Sequence, residues 1–242
     1  MTDTGNDESD GSRRHSRVLI LGANGPTGRE TTQQALARGY EVHALTRHPE
    51  TFPLEHERLR IIAGDATDPT VIDAAVAATD AVICTIGASF TRHPVNVYSV
   101  SSQLLVAALL RHGRRRLMVV TSSGVQPSHL QHGALQRLSY TVMRRFFGRT
   151  VYDDMTAMEA FVSASDLDWT IVRPPGLSND PGRGYAVAEN EIEGGFCSRA
   201  DLARLLLDQL DDDRFLRKIA AVSTPGLRVS AVQMIKVEVL KR

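Results

Sequence analysis

The sequence predicts a doubly wound, mostly parallel α/β sheet with helices on both faces, formed as a single domain, and three observations predict it. Short apolar runs at 17–21, 41–46, 59–63, 81–86, 117–120 and 168–173 alternate with helical patterns, the rhythm of successive β-α units. A glycine triplet, Gly22, Gly25 and Gly28, follows the first run and opens the first helix, as in a nucleotide-binding β-α-β unit. No linker rich in Gly, Ser or Pro divides the chain, and no repeat beyond β-α alternation is visible.

Taken in order, residues 1–16 are polar, acidic then basic, with no periodic apolar face, and are expected to form a disordered leader to a domain spanning 17–242. The first helix covers 27–38 and closes at Gly39. Pro49 and Pro53 make 47–57 a polar connection rather than a long helix. The third run leads to Gly64-Asp65-Ala66-Thr67-Asp68 and a helix beginning at Pro69. A helix over 96–110 has an apolar face of Leu104, Leu105, Ala108 and Leu109, ends at Gly113, and is followed by Arg114, Arg115 and Arg116, which are expected to complement its dipole and face water. Residues 126–149, with His129, His132, Tyr140, Arg144 and Phe146-Phe147, read as a helix or a substrate-side excursion. The run 151–163 is helical by its three- and four-residue spacing of Met155, Met158, Glu159 and Val162. A second excursion is expected over 177–197, with short extended pieces in 182–193. The last helix, 199–210, is capped by Ser198 with Asp201 at its third position, and 218–223 is the final strand. Residues 227–242 have both extended and helical readings.

At 242 residues, 42% hydrophobic and 23% charged, the chain can bury a full core, and its formal charge of zero supplies no field to recruit nucleic acid or acidic membrane. No run approaches eighteen apolar residues and no signal-peptide core is present, so a cytoplasmic protein is expected. Two cysteines, Cys84 and Cys197, are too few for a disulfide framework, and Cys84 reads as a small buried hydrophobe. Lysine occurs only at Lys218, Lys236 and Lys241. A mechanism that needs an active-site lysine must take it from the end of the chain. His-Glu-x-x-His, Gly-x-x-x-x-Gly-Lys-Ser/Thr and Gly-x-Ser-x-Gly are all missing, which removes the motifs of metallohydrolases, P-loop ATPases and serine hydrolases.

Chemistry is expected where the strands end. Gly22 permits a tight turn, Gly25 lets backbone approach a diphosphate without an intervening Cβ, and Gly28 lets the helix lie close to the strand. Asn24, Pro26 and Thr27 belong to the same candidate turn, and the free amides that follow face the ligand's charge. The spacing is Gly-x-x-Gly-x-x-Gly, one residue off the common dinucleotide form. At the end of the second run, where NAD sites carry an acid, this chain has Thr46 and Arg47. Arg47 can offer a fork to a 2′-phosphate and Thr46 a hydroxyl, so NADP is expected and NAD is the second choice. Asp65 can accept from an adenine amino group beside Ala66, or shape its turn while Asp68 caps the next helix, and the two roles are compatible. Gly87 and Ala88 let a pyrophosphate and the nicotinamide ribose pass close to backbone. Ser122 is placed to touch nicotinamide or a substrate carbonyl, the other reading being a turn with backbone-bonded serines. Pro174 and Pro175 cannot continue a ladder and form a rigid wall at the exit of their strand.

The stretches Gly22-Ala-Asn-Gly-Pro-Thr-Gly28, Gly39-Tyr-Glu-Val-His-Ala-Leu-Thr-Arg47, Gly64-Asp-Ala-Thr-Asp68, Thr121-Ser-Ser-Gly124, Val151-Tyr-Asp-Asp-Met155 and Leu167-Asp-Trp-Thr-Ile-Val-Arg-Pro-Pro175 together resemble the atypical short-chain dehydrogenase/reductase family. The likeness is to its NAD(P)H-binding branch, which includes flavin reductase/biliverdin-IXβ reductase and NmrA-like proteins. That resemblance implies a Rossmann-type sheet with NADP across its carboxyl edge. It places Gly22, Gly25, Thr27 and Gly28 at the pyrophosphate, Arg47 at the 2′-phosphate, Asp65 beside adenine, and Gly87 near the cofactor ribose. Ser122 falls near nicotinamide, with Pro174 and Pro175 packing at that end under an open, mainly apolar acceptor pocket.

One departure bears on mechanism. Relatives with full dehydrogenase machinery carry Tyr-x-x-x-Lys before the sixth strand, and those places fall at Val151 and Met155. Tyr152 is one position out, about 100° around a helix. Tyr140-x-x-x-Arg144 keeps the spacing, but arginine is no acid or base at neutral pH. Two functions follow. One is an NADPH-dependent oxidoreductase passing hydride directly to a conjugated small-molecule acceptor such as a flavin or quinone, with Ser122 orienting and Asp153 or Asp154 either relaying a proton or forming a solvated helix start. The other is a non-catalytic NADP(H)-binding redox sensor of NmrA-like type. Neither needs nucleic acid, membrane or metal, and a monomer or weak homodimer is expected.

Overall fold

A computed structural model describes residues 15–89, 91, 93–126 and 149–228. The predicted leader lies outside these except for its last two residues, and Ser16 is fastened by its N–H and Oγ to the Asp80 carboxylate at 3.2 and 3.0 Å. Nearly all of the first excursion, including Tyr140 and Arg144, also lies outside the described residues.

Strands β1 (Arg17–Leu21), β2 (Glu41–Thr46), β3 (Leu59–Ala63), β4 (Ala81–Cys84), β5 (Arg116–Val120), β6 (Asp168–Arg173), β8 (Ala186–Glu189) and β10 (Lys218–Ser223) form one sheet, and β7 (Gly176–Ser178) pairs with β9 (Phe196–Ser198) in a second. The large sheet is ordered β3-β2-β1-β4-β5-β6-β10-β8, parallel throughout except for β8 against β10. The order reverses between β1 and β4, which is where ligands enter doubly wound sheets. Continuous apolar runs are what a parallel sheet covered on both faces requires, and β4 and β5 are buried at every position. The edge strand β3 is mostly exposed or half-buried.

Helices α2 (Pro69–Ala77), α3 (Val97–Arg111) and α4 (Arg149–Ser163) cover one face, with Ile72, Leu105, Leu109, Met158 and Val162 packed onto Leu19, Leu21, Val82 and Leu117. Helices α1 (Pro26–Ala37) and α5 (Arg199–Asp208) cover the other, with Ala35, Leu36, Leu202 and Leu206 packed onto Val18, Ile20, Ile83 and Met118. Alternate residues of each central strand thus serve opposite cores.

Most element bounds fall within two residues of the sequence reading. Strand β4 stops at Cys84 rather than 86, because the Thr85 N–H and Oγ1 both turn to the Leu21 carbonyl at 2.9 and 2.8 Å. The three-residue strands β7 and β9 are additional to the expected extended pieces.

Two expectations about charge are corrected. Arg115 is half-exposed, but Arg114 pairs with Asp80 at 3.4 Å and Arg116 is 4% exposed. Arg116 opens β5 facing α5, so its guanidinium donates to the Gln209 carbonyl beyond that helix (Nε, 3.1 Å), to Asp168 O (2.8 Å) and to Thr170 Oγ1 (2.9 Å). Burial lowers its pKa to about 10, still charged at neutral pH. Asp154 is not at a solvated helix start either: it is 6% exposed and accepts from Tyr98 N at 2.8 Å and Ser99 N at 3.3 Å, capping α3 from α4.

Arg116→Ala strands buried carbonyls, and urea unfolding is expected to show a loss of about 2–4 kcal/mol. Arg115→Ala, at an exposed ion pair, is expected to change stability by less than about 1 kcal/mol; equal losses would refute the assignment of Arg116 as a buried brace.

Candidate functional site

The exits of β3, β2, β1, β4, β5 and β6 lie side by side along one edge of the sheet. At β1 the glycines are organised around a single carbonyl. Gly22 sits at φ +72°, and a Cβ there would lie 2.8 Å from the Thr85 carbonyl and Ile86 N. Gly25 N donates to Gly22 O at 3.0 Å, while Cβ atoms at Gly25 and Gly28 would approach that oxygen to 3.2 and 2.2 Å. Gly25 therefore has a role inside the turn as well as any toward a ligand. Pro26 is exposed at the start of α1 and Thr27 is half-buried.

The first turn of α1 has no side-chain acceptor. Asp68 caps α2, Ser198 caps α5, and Asp154 caps α3 from a neighbouring helix. Among these four helices only α1, at the strand-order reversal, presents amide groups without an internal carboxylate or hydroxyl, which is the geometry of an anion site.

At the exit of β2, Thr46 is buried and its Oγ1 accepts from His48 N at 3.1 Å. Arg47 is exposed and makes no ion pair or hydrogen bond with a described residue. Asn24 is less available than the sequence reading allowed: its Nδ2 donates to Thr51 Oγ1 at 2.8 Å and its Oδ1 accepts from Arg29 Nε at 3.0 Å, so its amide ties the glycine turn to the segment after Arg47. At the exit of β3, Asp65 Oδ1 accepts from Thr67 Oγ1 (2.7 Å) and N (2.8 Å), Oδ2 has no hydrogen-bond partner among the described residues, and Ala66 packs on the core. Those Thr67 bonds, with the Arg47 charge, hold Asp65 below the ordinary carboxylate value against a smaller opposing effect of burial. The turn-shaping role is thus present, and the second oxygen remains for another donor.

Beyond β4, a Cβ on Gly87 would meet nothing within 4 Å, whereas the Ala88 N–H is already committed to the Tyr98 hydroxyl at 2.8 Å. Tyr98 is 1% exposed and burial pushes its pKa to about 12, as it does for the Cys84 thiol, which is consequently inert at neutral pH. Beyond β5, Ser122 Oγ accepts from Gly124 N at 3.2 Å, the backbone-bonded turn, and is half-buried with its own proton uncommitted among described residues. Ser123 N donates to Pro174 O at 2.9 Å, which joins the Ser122 turn to the buried Pro174-Pro175 pair at the exit of β6.

Beneath that junction lies a cluster the sequence reading did not identify. Arg173, the last residue of β6, grips Glu159 of α4 through Nε (3.0 Å) and Nη2, and donates from Nη1 to Gln126 Oε1 at 3.2 Å. Thr121 Oγ1 donates to Glu159 Oε1 at 2.6 Å. Arg173 and Glu159 are 6% and 7% exposed. Val151 and Met155, the positions that correspond by count to the acid-base pair, are buried in the apolar core with Tyr152. Among the described residues no group of three His, Cys, Asp or Glu could hold a metal, and no helix is long and apolar enough to cross a membrane.

Residues 22–213 match the model of a family described as NAD(P)H-binding. The chain is 30% identical over 227 residues, 89% of its length and 79% of the relative's, to an uncharacterized chloroplastic protein of Arabidopsis thaliana. Its fold matches a short-chain dehydrogenase/reductase from Veillonella parvula DSM 2008 in complex with NADP, with TM-score 0.73, 23% identity and 88% and 96% of the two chains covered. It also matches ChuY, an anaerobilin reductase from Escherichia coli O157:H7, with TM-score 0.72, 24% identity and 88% and 100% covered.

Glu159→Gln is expected to lower unfolding free energy by about 3–5 kcal/mol, because it leaves a buried guanidinium without its counter-charge. A loss below about 1 kcal/mol would show that the pair is dispensable to the fold. Gly28→Ala is expected to cost about 2 kcal/mol or more, since the clash is with backbone. By contrast Gly87→Ala is expected to leave the thermal midpoint unchanged; destabilisation by Gly87→Ala as large as by Gly28→Ala would contradict the crowding around Gly22 O.

Proposed function

The chain belongs to the NAD(P)H-binding family, and from that premise we propose that it is an NADPH-dependent oxidoreductase acting on a conjugated acceptor such as a flavin or quinone. One observation carries the reading: the uncapped first turn of α1 at the strand-order reversal, with Arg47, which makes no ion pair or hydrogen bond with a described residue, at the neighbouring exit. When bound, NADPH supplies the hydride from nicotinamide C4, and a conjugated acceptor stabilises the electron pair in its own π system while taking its proton from solvent.

The protein's residues fit that division of labour. Gly22 and Gly28 keep Cβ atoms out of the turn, and the first amides of α1 meet the diphosphate. Arg47, exposed and bonded to no described residue, can offer its fork to a 2′-phosphate, which favours NADP over NAD. Asp65 would be the acceptor for the adenine amino group, and Gly87 would leave open space for the ribose. Ser122 orients the carboxamide or the acceptor with its uncommitted hydroxyl, on a turn fixed by Pro174 O, Thr121, Glu159 and Arg173.

What supports direct transfer is that Val151 and Met155 have no proton to give and are packed into the core. Positioning at the carboxyl edge is then the chief contribution to rate. The likeness to a protein named as an anaerobilin reductase supports a reductase reading.

Purified protein is expected to oxidise NADPH steadily in the presence of flavins or quinones, and NADH more slowly. Arg47→Ala is expected to weaken NADPH binding by about 10- to 100-fold, the worth of a charged fork on phosphate, while changing NADH binding by less than about threefold. Saturable NADP(H) binding with no turnover across the acceptor panel would make the protein a redox sensor instead, and equal losses for both cofactors would remove Arg47 from the 2′-phosphate.

A further inference from the structure

Arg199 is a buried cation for which the described structure provides no anion. Strands β7 and β9 are in register at Ser178 and Ser198, so the next residues, Asn179 and Arg199, emerge side by side. Arg199 Nη1 donates to Asn179 Oδ1 at 2.7 Å. The residue is 7% exposed, its Nε is buried without a hydrogen-bond partner, and its Nη2 has none either among the described residues. The nearby acid in sequence, Asp201, is committed elsewhere: it accepts from Arg183 N at 3.1 Å, Gly184 N at 3.0 Å and Thr224 Oγ1 at 2.7 Å. Burial alone lowers the Arg199 pKa, with no carboxylate opposing it.

The other two buried arginines among the described residues are satisfied, Arg173 by Glu159 and Arg116 by carbonyls. In Arg199 the uncommitted groups are Nε and Nη2, the edge of a guanidinium whose two parallel N–H bonds match two oxygens of a carboxylate or phosphate. Asn179 sits at the other end of the guanidinium, its Oδ1 on Nη1, and so uses neither of those two donors. A buried guanidinium with spare donors is unfavourable until an acceptor reaches it.

Its position selects the ligand. Thr224 N donates to Phe196 O and Ser198 N to Thr224 Oγ1 at 3.0 and 2.9 Å, which holds β9 and the start of α5 at the exit of β10. Strand β7 begins directly after Pro174-Pro175. Gln34 Nε2 donates to Ala200 O at 2.9 Å, so α5 starts beside the third turn of α1, about 12 Å along that helix from the turn assigned to the diphosphate. Arg47, the group assigned to a 2′-phosphate, is at β2, on the opposite side of β1 from β6 and β10.

We propose that the Nε/Nη2 edge of Arg199 binds an oxyanion carried by the acceptor, so that the substrate is a conjugated molecule with a phosphate or carboxylate arm. This rests on the reductase reading and narrows it. The same chemistry could be met by a phosphate of the dinucleotide, and the test separates the two.

FMN and riboflavin share one ring system and differ by a terminal phosphate. Steady-state kinetics with NADPH are expected to give wild type a kcat/KM for FMN at least about tenfold above that for riboflavin, mostly in KM, as a charge-assisted fork should. In Arg199→Met this ratio is expected to fall to within about twofold, and Arg199→Lys to recover only part of it. Asn179→Asp, which places a carboxylate against Arg199 without emptying the site, is expected to abolish the preference while raising the melting temperature, so the proposal does not depend on one variant folding. A wild-type ratio near one, or a ratio unchanged in Arg199→Met, overturns the inference. So does a rise of about tenfold or more in the NADPH Kd with the flavin ratio intact, which assigns Arg199 to the cofactor. The same FMN-to-riboflavin ratio read as Kd by flavin fluorescence on NADP-loaded protein judges the inference without turnover. Loss of NADPH oxidation with a retained, Arg199-dependent binding ratio therefore sinks the reductase reading alone.

Discussion

The turn after β1 has no room for a side chain at Gly22, and the carboxyl edge is arranged around that closeness. The Gly22 backbone lies so near Thr85 and Ile86 that an added Cβ would come within 2.8 Å of both. Thr85 answers from its side by donating twice to Leu21 O. The two exits flanking the strand-order reversal are therefore pinned at their roots, and a crevice can open only above them. The same carbonyl that receives Gly25 N is overlapped by any side chain at Gly28, so α1 must start close against the turn. Backbone crowding, rather than a binding side chain, sets where the free amides point.

Helix α4 braces the other half of the edge. Its Asp154 caps α3 at Tyr98 and Ser99, and the Tyr98 hydroxyl in turn receives Ala88 N from the loop beyond β4. Its Glu159 holds Arg173 and Thr121, at the exits of β6 and β5. Two carboxylates on one helix thus fix three successive strand exits. Buried charges of this kind add little net stability against an apolar alternative, yet removing one partner is severe, so their effect is to specify one arrangement.

The legible parts of the sequence were those in which cause and effect are close along the chain. Apolar runs, the glycine turn, Gly39, the Asp68 and Ser198 caps and the Asp65 turn all act within a few residues. What escaped depends on distant partners: Arg116 meets Gln209 across 93 positions, Tyr98 meets Asp154 across 56, and Thr121 meets Glu159 across 38. Arginines after a helix read as a solvated, dipole-matched group because local sequence cannot show that Arg116 begins a strand facing α5. The tie from Asn24 to Thr51 is hidden for the same reason, its partner lying beyond a whole β-α-β unit. Strands β7 and β9 have three residues each, too few to establish a period.

Composition, scaffold and chemistry then converge on one property. Nearly all positive charge is arginine, and among the described residues three are buried, at β5, β6 and the start of α5. A guanidinium keeps its charge in such places: even Arg116, lowered to about 10, is ionised throughout the neutral range, where a buried lysine could lose its proton. The Arg116 brace is accordingly kept across the neutral range. With Val151 and Met155 apolar, no tuned acid at those places titrates there either. Among the described residues Arg116, Arg173, Glu159 and Asp154 thus spend their charge on holding neighbouring elements in one geometry, because each meets its partners from a different element of the fold.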